Sequence, residues 1–529
     1  MKILLTTLNS KYIHSNIALK YLYGAAEKSG AYLDIREFTI NNEEDHVYSE
    51  LAAGNWDMIC FSCYIWNIER ILYLAENLKK ANPKLVILLG GPEVSYDALE
   101  LIKEHRYIDM IIKGEGEKPF AMLMKFLAKV NGMKIADDNV SGESEEDSAA
   151  DVIADISDLS EIPGLIYRSE GKIFVNEEHG VYDFDEVAFP YNYFTVPEDR
   201  IIYYESSRGC PYRCAYCLSS VDKTIRVRTI EKVYAELSYF IYKNVKQVKF
   251  IDRTFNFDRN RAYDIWKYII DNDNGITNFH FEICTELLDE KTIELLSRAR
   301  KGLFQFEVGI QTTNRDTLRA VNRSVNIEHT LFMTKKLVDL GNCEVHVDLI
   351  AGLPYETYSS FRRSFNMVYA LKANQFDMGF LKLLKGTEMR ERAHLYDYVY
   401  REKAPYEVIS NKYISAYDLV RLKRVEKMLD FYYNRGGFKK TLEYLLAVAF
   451  ETPFDFYEEL SEFYYMNGYQ DASHKKEDIY RILDVYCQLK LGNGIYGNAE
   501  HARELLEEDM RDTLNFDAVK KFKRKGWEI

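Results

Sequence analysis

Cys210-Pro-Tyr-Arg-Cys214-Ala-Tyr-Cys217 is the stretch that decides the fold and the chemistry expected of this chain. Its three thiols follow a C-x3-C-x2-C spacing, directly after Ser207-Arg208-Gly209 and a strand-like run, Ile201 to Tyr204. Three thiolates can bind three irons of a [4Fe–4S] cluster and leave the fourth iron open. The alternatives are ordinary buried thiols or a zinc site, in which C-x2-4-C is paired with a second, distant pair. The other pair at such a spacing, Cys60 and Cys63, lies in an apolar, strand-like run that is typical of core thiols. The spacing therefore predicts a cluster on these three cysteines.

Tyr216 stands directly before the third cysteine and completes the motif. The motif resembles the radical S-adenosylmethionine (SAM) superfamily, in which the open iron binds the amino and carboxylate groups of SAM. In that family an electron from the cluster cleaves SAM to a 5′-deoxyadenosyl radical. The resemblance implies a [4Fe–4S] cluster and SAM as cofactors and a reducing electron donor of the flavodoxin or ferredoxin type. It also implies a position for Tyr216 beside the cluster and the adenine.

Size and composition limit the class of protein. A chain of 529 residues is too long for a single hydrophobic core, so several domains are expected. A content of 47% hydrophobic and 29% charged residues is typical of globular domains. No apolar run is long enough to cross a bilayer, and Met1-Lys-Ile-Leu-Leu lacks a signal-peptide layout. We therefore expect a cytoplasmic protein without a membrane partner. The cytoplasm is reducing, which also suits the eight cysteines. The net charge of −14 argues against nucleic acid as a partner of the whole chain.

Residues 1–130 alternate short apolar runs with amphipathic stretches, which predicts an α/β, doubly wound parallel sheet. The predicted strands are 2–7, 32–39, 58–63, 85–90 and 110–113, and the predicted helices are 16–28, 68–80, 96–104 and 119–130. Ligands on such sheets bind at the carboxyl ends of strands, where glycines let the backbone approach closely. Two loops fit, Gly90-Gly91-Pro92-Glu93 and Gly114-Glu115-Gly116-Glu117, although any tight turn there would also need glycine.

This domain resembles the Rossmann-like (flavodoxin-like) cobalamin (B12)-binding domains that precede many radical SAM domains. In those folds the cobalamin tail passes a serine after the third strand and a Gly-Gly pair after the fourth. Ser62 and Gly90-Gly91 stand at these positions. The resemblance implies cobalamin as a third cofactor, with Glu93, Gly114 and Glu115 among its contacts.

His14 falls near the place of the family's cobalt-ligating histidine. Its surrounding Asp-x-His-x-x-Gly loop is degraded, because Tyr12 replaces the Asp and Ile17 replaces the Gly. His14 is therefore a candidate lower ligand of cobalt, with a surface-loop histidine as the alternative. Many B12-binding radical SAM proteins resemble this chain in lacking that loop.

Residues 131–200 are predicted to connect two domains. Residues 131–161 are acidic and small, without apolar periodicity, and are expected to be mobile or disordered. Residues 164–176 predict a hairpin with a Glu170-Gly171 turn.

Residues 201–400 are predicted as six βα units, which form a partial (β/α)6 barrel of the TIM type with its chemistry at the carboxyl ends of the strands. The predicted strands are 201–205, 245–252, 279–284, 304–310, 344–350 and 376–381. Asp252-Arg253 ends the second strand, at the superfamily's position for holding the methionyl amine of SAM. This sequence has no Gly-Gly-Glu there, which is the commoner pattern.

Two further strand ends resemble SAM-binding motifs. Glu307-Val-Gly309-Ile-Gln311 resembles the E-x-G-x-Q-S signature of methylthiotransferase-like and coproporphyrinogen-type proteins, which implies that Glu307 and Gln311 bind the SAM ribose or carboxylate. Asp348 to Gly352, continuing to Thr357, resembles D-x-I-x-G-L-P-G-E-T, a motif near adenine. Glu307 could instead pair with Arg323 or Lys382, and Asp348 could cap the next element.

Residues 405–529 are predicted to form a helical domain. Two helical faces are expected to pack into a core, Leu419, Leu422, Leu429 and Tyr432 on one and Ile479, Ile482, Tyr486 and Leu489 on the other. The region resembles the uncharacterised helical (DUF4080-like) domain of one subgroup of B12-type radical SAM proteins. A lid or a substrate-selecting role is a hypothesis for it.

The resemblance covers about residues 1–400 and implies an enzyme that methylates an unactivated carbon of a small molecule or peptide. The sequence does not name that substrate. A B12-assisted radical rearrangement or oxidation without methyl transfer is the first alternative. A methylthiotransferase needs a second cluster, commonly on three N-terminal cysteines, but only Cys60 and Cys63 are present. A non-enzymatic sensor that binds both cofactors is the alternative from another class.

Overall fold

The computed structural model of the protein describes residues 1–138, 159–178, 182–221, 224–323, 325–525 and 527. Most of the acidic segment predicted to be mobile or disordered, residues 139–158, lies outside the described residues. Within the part of the chain that is described, no helix is long and apolar enough to span a membrane.

The N-terminal sheet confirms the predicted doubly wound fold. Its parallel strands are β1 (Lys2–Asn9), β2 (Tyr32–Thr39), β3 (Met58–Ser62), β4 (Val86–Gly90) and β5 (Met110–Ile112). They lie in the order β2-β1-β3-β4-β5. All five residues of β3 are buried, because helices cover both faces of the sheet. Such strands are nearly continuous apolar runs, which is why the sequence predicted them closely.

Five helices connect these strands: α1 (Ile17–Ala26), α2 (Glu44–Ala52), α3 (Ile68–Ala81), α4 (Ala98–Glu104) and α5 (Glu117–Asp138). Helix α3 buries Ile71, Leu74 and Leu78 on one face, the spacing of an amphipathic helix. Helix α2 was not predicted. Only Val47 and Leu51 of its nine residues are buried, so its apolar period is weak.

The predicted hairpin is confirmed as β6 (Leu165–Ser169) and β7 (Lys172–Val175). Strand β6 pairs antiparallel with β5 and thereby extends the first sheet to seven strands. Part of the segment that the sequence assigned to a connector therefore belongs to the N-terminal sheet. The domain bounds 1–130, 131–200, 201–400 and 405–529 themselves stay predictions.

The second sheet confirms the partial (β/α)6 barrel. Its six strands are β8 (Ile202–Tyr204), β11 (Gln247–Phe250), β12 (Asn278–Ile283), β13 (Phe304–Gln311), β14 (Glu344–Ala351) and β15 (Gln375–Phe380), which lie in the parallel order β15-β14-β13-β12-β11-β8. Beside the sheet, β9 (Ser207–Arg208) and β10 (Arg226–Val227) form a small antiparallel ladder. Buried and half-buried residues alternate along β13, so its apolar residues face the helices and its polar residues face the lumen.

The helices around the barrel are α6 (Ile230–Tyr242), α7 (Arg259–Asp271), α8 (Glu290–Ser297), α9 (Arg315–Ala320), α10 (Ile327–Asp339), α11 (Tyr358–Tyr369) and α12 (Glu388–Glu391). The C-terminal region adds β16 (Val399–Tyr400), β17 (Val408–Ser410), α13 (Ala416–Leu429), α14 (Lys439–Val448), α15 (Pro453–Met466), α16 (Lys476–Leu491), α17 (Ala499–Thr513) and α18 (Phe516–Lys525). Its core is continuous with that of the barrel. The first predicted helical face is buried throughout, whereas on the second Leu489 is 69% exposed.

Candidate active site

A cavity of about 850 Å³ lies between the carboxyl edge of the first sheet and the cysteine loop of the barrel. Several residues predicted to bind cobalamin line it: Ser62, Gly90, Gly91, Gly114 and Glu115. From the barrel side the wall includes Arg208, Gly209 and Arg253. The structure thus brings the two predicted cofactor regions to one cavity, although they are far apart in the sequence.

The Gly90-Gly91 turn leaves bare backbone in this wall. Gly91 has φ +105°, and a Cβ there would lie 2.6 Å from the carbonyl oxygen of Cys63. The Cys63 amide donates to the Gly90 carbonyl at 2.7 Å, which fixes the turn against β3. Gly91 is therefore required for the packing of this turn on Cys63. Both glycines line the cavity, where a ligand can approach their bare backbone.

The cysteine loop is folded tightly over one end of the barrel. Gly209 has φ +91°, and a Cβ there would lie 2.3 Å from the carbonyl oxygen of Thr224. The Cys217 amide donates to the Cys214 carbonyl at 3.0 Å. Burial raises the pKa of Cys210, and the nearby Cys217 and Cys214 raise it further, while Thr254 opposes this through its hydroxyl at 3.5 Å. The three thiols therefore share one site.

In the described ranges no group of three or more His, Cys, Asp and Glu side chains could hold a single metal ion. The cysteines of a [4Fe–4S] cluster bind different irons rather than one ion. A cluster is therefore the metal group that suits this donor set, since all three donors are thiols.

Arg323 lies beside the cysteine loop, although no motif in the sequence predicts a functional role for it. Its Nη1 lies 3.6 Å from the Cys214 sulfur, and its Nη2 donates to the Gly309 carbonyl. Its buried Nε has no hydrogen-bond partner, and neither does the buried hydroxyl of Tyr216. A guanidinium with a spare donor beside the cysteine loop can bind an anionic group such as a carboxylate.

Gln311 ends β13 in a left-handed conformation with φ +69°. Its side chain folds back so that Nε2 lies 2.2 Å from where a Cβ at position 309 would be. Gly309 leaves room for this side-chain conformation, and its carbonyl accepts from Arg323, which also reaches Cys214. Non-glycine residues with positive φ cluster at functional sites.

Glu307 faces the barrel lumen, where it accepts from Lys249 at 3.0 Å and lies 3.1 Å from Nε2 of His280. The hydrogen bond with His280 and the charge of Lys249 lower the pKa of Glu307 to about 2, although burial opposes them. Its partners are thus neither Arg323 nor Lys382. Burial and the nearby Glu307 raise the pKa of Asp348 well above its usual value. The lumen is a polar, charged chamber rather than a packed apolar core.

Asp252, predicted to bind SAM, has protein partners for both carboxylate oxygens. Its carboxylate is 1% exposed and accepts from the amide and hydroxyl of Ser206 and the hydroxyl of Ser207, at 2.6–2.8 Å. With both oxygens occupied it braces the strand that leads into the cysteine loop. Its neighbour Arg253 instead lines the cavity.

His14, the candidate lower ligand of cobalt, contacts the barrel. It is absent from the cavity wall, and its Nδ1 lies 2.6 Å from the hydroxyl of Tyr203 in the barrel. Burial and nearby Lys11 lower its pKa. The structure thus gives His14 a partner in the barrel, and its role as a cobalt ligand stays a prediction.

Glu93 and Gly352, predicted to bind cofactors, also have protein partners. The carboxylate of Glu93 is buried and accepts from the hydroxyl of Tyr406, away from the cavity. The Gly352 carbonyl accepts from Tyr398 at 2.9 Å and from Asn411 at 2.8 Å. The C-terminal region occupies both residues, which the sequence had assigned to cofactors.

Arg208 joins the two walls of the cavity. It lies 3.2 Å from Glu115 and 3.0 Å from Glu205, and it also pairs with Glu117 at 2.5 Å. Burial raises the pKa of Glu205 to about 7. Because Arg208 stands two residues before Cys210, this network fixes the loop after β5 against the cysteine loop.

Three family models match the chain: the B12 binding domain over residues 3–124, the radical SAM superfamily over 204–368, and a protein of unknown function (DUF4080) over 394–527. The chain therefore carries a B12-binding domain followed by a radical SAM domain. The order of the three models matches the order of the two sheets and the helical region.

Among curated relatives, the 2-(S-pantetheinyl)-carbapenam-3-carboxylate methyltransferase of Streptantibioticus cattleyicolor is 23% identical over 352 residues, 59% of this chain and 45% of the relative. The anaerobic magnesium-protoporphyrin IX monomethyl ester cyclase of Rubrivivax gelatinosus is 25% identical over 64% of this chain and 59% of the relative. The chain spans less than two thirds of the length of each relative. The solved structure of the cobalamin-dependent SAM radical enzyme OxsB, with aqua-cobalamin and SAM bound, is similar with a TM-score of 0.61 at 14% identity. That match covers 99% of this chain and 81% of OxsB and concerns the fold.

Proposed function

We propose that this protein is a cobalamin-dependent radical SAM enzyme that transfers a methyl group to a substrate carbon. One observation carries the proposal: a single cavity is bounded by the Gly90-Gly91 turn and by the loop that leads into Cys210. A methyl carrier and a radical source bound there would act on the same substrate. The similarity to a carbapenam-carboxylate methyltransferase supports methyl transfer.

The residues divide between the cofactors by position. Cys210, Cys214 and Cys217 would bind the cluster, and Arg323 and Arg253 would hold the carboxylate of SAM. The turn at Gly90-Gly91 would take cobalamin. When bound, the cluster with SAM would supply the 5′-deoxyadenosyl radical, and cobalamin would carry the methyl group.

The protein itself would orient the cofactors and the substrate and would shield the radical from solvent. Arg208 holds the two walls together through Glu115 and Glu117, so the reacting groups would keep a fixed separation. Lys249 and Glu307 present fixed charges in the lumen below, where the substrate would bind. The substrate would be a small molecule or peptide, and a flavodoxin or ferredoxin would supply electrons from outside.

The test is anaerobic reconstitution with iron, sulfide and hydroxocobalamin, followed by metal analysis and absorbance. We expect a four-iron cluster and near-stoichiometric cobalt, with the iron lost in a Cys210→Ala/Cys214→Ala/Cys217→Ala variant. Cys343→Ala removes a buried thiol outside the site and is the matched control. A cluster without cobalt would contradict the cobalamin half of the proposal.

Radical rearrangement or ring formation without methyl transfer is the second candidate. The similarity to a magnesium-protoporphyrin IX monomethyl ester cyclase supports it. The products separate the two: a methyltransferase releases S-adenosylhomocysteine as well as 5′-deoxyadenosine. Release of 5′-deoxyadenosine alone during turnover would favour the second candidate.

A further inference from the structure

The segment that follows the Gly90-Gly91 turn contacts residues from beyond the last barrel strand, on the side away from the cavity. Glu93, two residues after Gly91, is 5% exposed and points away from the cavity. Its Oε1 accepts from the hydroxyl of Tyr406 and lies 3.4 Å from Nζ of Lys385. A buried carboxylate is stable only when donors satisfy it. Tyr406 and Lys385 supply those donors.

Lys385 bridges two acids of the turn. Its Nζ lies 2.7 Å from Asp97 as well as 3.4 Å from Glu93. Burial alone would lower the pKa of Lys385, but the hydrogen bond and charge of Asp97 and the charge of Glu93 raise it. The ammonium therefore stays charged, and it ties both ends of the segment from Glu93 to Asp97 to the end of the barrel.

Tyr406 is itself held rigidly. Its amide donates to the Lys403 carbonyl and its carbonyl accepts from the Leu383 amide, both at 3.0 Å. The guanidinium of Arg390 lies 4.7 Å from the centre of its ring. The hydroxyl that reaches Glu93 is therefore preorganised, and little entropy is lost when the hydrogen bond forms.

A displacement of Glu93 would also displace the two loops that line the cavity, at Gly91 and at Gly114. The Glu93 amide donates to the Cys63 carbonyl at 3.4 Å, beside Gly91. The Ser95 hydroxyl donates to the Gly91 carbonyl at 2.9 Å and accepts from the Gly114 amide at 3.2 Å. The turn at Gly91 and the loop at Gly114 are thus coupled to the same short segment that Tyr406 and Lys385 fix.

We propose that Lys385 at the end of the barrel and Tyr406 in the C-terminal region are positioning residues for cobalamin. Together they form a clamp that holds the Gly90-Gly91 turn in its binding conformation. This inference rests on the proposed function, because it assumes that the turn takes cobalamin. Without this clamp, the binding-competent turn would be only partly populated, and the apparent affinity for cobalamin would be the intrinsic affinity multiplied by the populated fraction. Tyr406 lies within the C-terminal family match, residues 394–527, so this proposal gives that region a function in cofactor binding.

The experiment measures the affinity of the full-length, cluster-reconstituted protein for hydroxocobalamin by equilibrium dialysis. We expect Tyr406→Phe to bind roughly tenfold more weakly, since it leaves a buried carboxylate short of one donor. Lys385→Met is expected to act in the same direction. Iron content should stay close to that of the wild type, whereas the thermal midpoint should fall by a few degrees because a buried hydrogen bond is lost.

Tyr433→Phe is the matched control. The Tyr433 hydroxyl donates to the Ala373 carbonyl at 2.5 Å and so also ties the C-terminal region to the barrel, but away from the cavity. Unchanged affinity in this control with a loss in Tyr406→Phe supports the clamp. Equal affinity in Tyr406→Phe and the wild type, or equal losses in both variants, overturns it. A wild-type protein that binds no hydroxocobalamin overturns the proposed function and the clamp together.

A double-mutant cycle gives a second, independent readout. Glu93→Gln keeps an acceptor oxygen for Tyr406 but removes the buried charge. We expect Tyr406→Phe to weaken hydroxocobalamin binding less in the Glu93→Gln background than in the wild type, because a neutral amide costs less to leave unpaired. Additive effects of the two substitutions on the dissociation constant would overturn the clamp.

Discussion

The hydroxyl of Tyr203 lies 2.6 Å from Nδ1 of His14, although 189 residues separate them. Next to this pair, the Ile201 amide donates to the Ile13 carbonyl at 2.9 Å. The loop after β1 therefore lies along β8, the edge strand of the barrel. Edge strands carry unpaired backbone groups that proteins cover. A loop expected to reach towards cobalt here covers the barrel edge.

His14→Ala is predicted to leave the affinity for hydroxocobalamin and the absorbance of the bound cobalamin unchanged, because His14 is not in the cavity wall. The free energy of unfolding should fall by about 1 kcal/mol, the value of one hydrogen bond. Denaturant titration and cobalamin titration check the two halves. Tyr203→Phe, which removes the same hydrogen bond, should lose a similar amount. Loss of an imidazole-bound cobalamin spectrum in His14→Ala would contradict the prediction.

Gly91→Ala is predicted to weaken hydroxocobalamin binding and to destabilise the fold. The added Cβ would lie 2.6 Å from the Cys63 carbonyl oxygen in a backbone with φ +105°. Gly275→Ala is the control, since φ is +76° there and nothing lies within 4 Å. The control should cost about 1 kcal/mol of left-handed strain, and Gly91→Ala more than that. Equal thermal midpoints in the two variants would disprove the argument.

Lys249→Met is predicted to lower the free energy of unfolding by about 1–2 kcal/mol, because it leaves the partly exposed Glu307 with His280 as its main partner. The pKa of Glu307, lowered to about 2 in the fold, should rise. Wild-type stability from this pair is present above the usual pKa of 4.5 and is lost as the pH falls towards 2, so the variant should lose less on acidification. Lys267→Met, which removes an exposed pair with Asp271, should change nothing measurable.

Glu356→Gln is predicted to change how stability depends on pH. Burial raises the pKa of Glu356 from 4.5 to about 8, although the hydroxyl of Thr312 at 2.7 Å opposes it. Between these values the folded protein keeps a proton that the unfolded chain has lost, so wild-type stability falls as the pH rises from about 5 to 8. The amide does not titrate, and the variant should gain on the wild type across this range in denaturant titrations. Parallel stability curves would contradict the raised pKa.

Strands and local loops were predictable from the sequence. The predicted strand at residues 32–39 matches β2 in both bounds, and the barrel strands agree within a few residues. Burial on both faces makes such strands continuous apolar runs. The cysteine spacing and the Gly-Gly turn are equally local, because a few adjacent residues form them.

The direction of single polar side chains was not predictable. Asp252 and Glu93 stand at positions where the family pattern suggested ligands, yet Ser206 and Tyr406 occupy them. Arg323 carried no functional signal, because its relation to Cys214 exists only after the chain has crossed the barrel. Such contacts depend on residues dozens or hundreds of positions away, which no local pattern encodes.

The sequence by itself determined the two parallel sheets, the cysteine set and the glycine turn, since hydrophobic periodicity and loop chemistry act over a few residues. Only the tertiary structure decided that the turn and the cysteine loop bound one cavity and that the C-terminal region reaches Glu93. The physical reason is the range of the forces. Burial pattern and backbone conformation are local, whereas the pairing of buried charges is decided by which distant donors packing brings within about 3 Å.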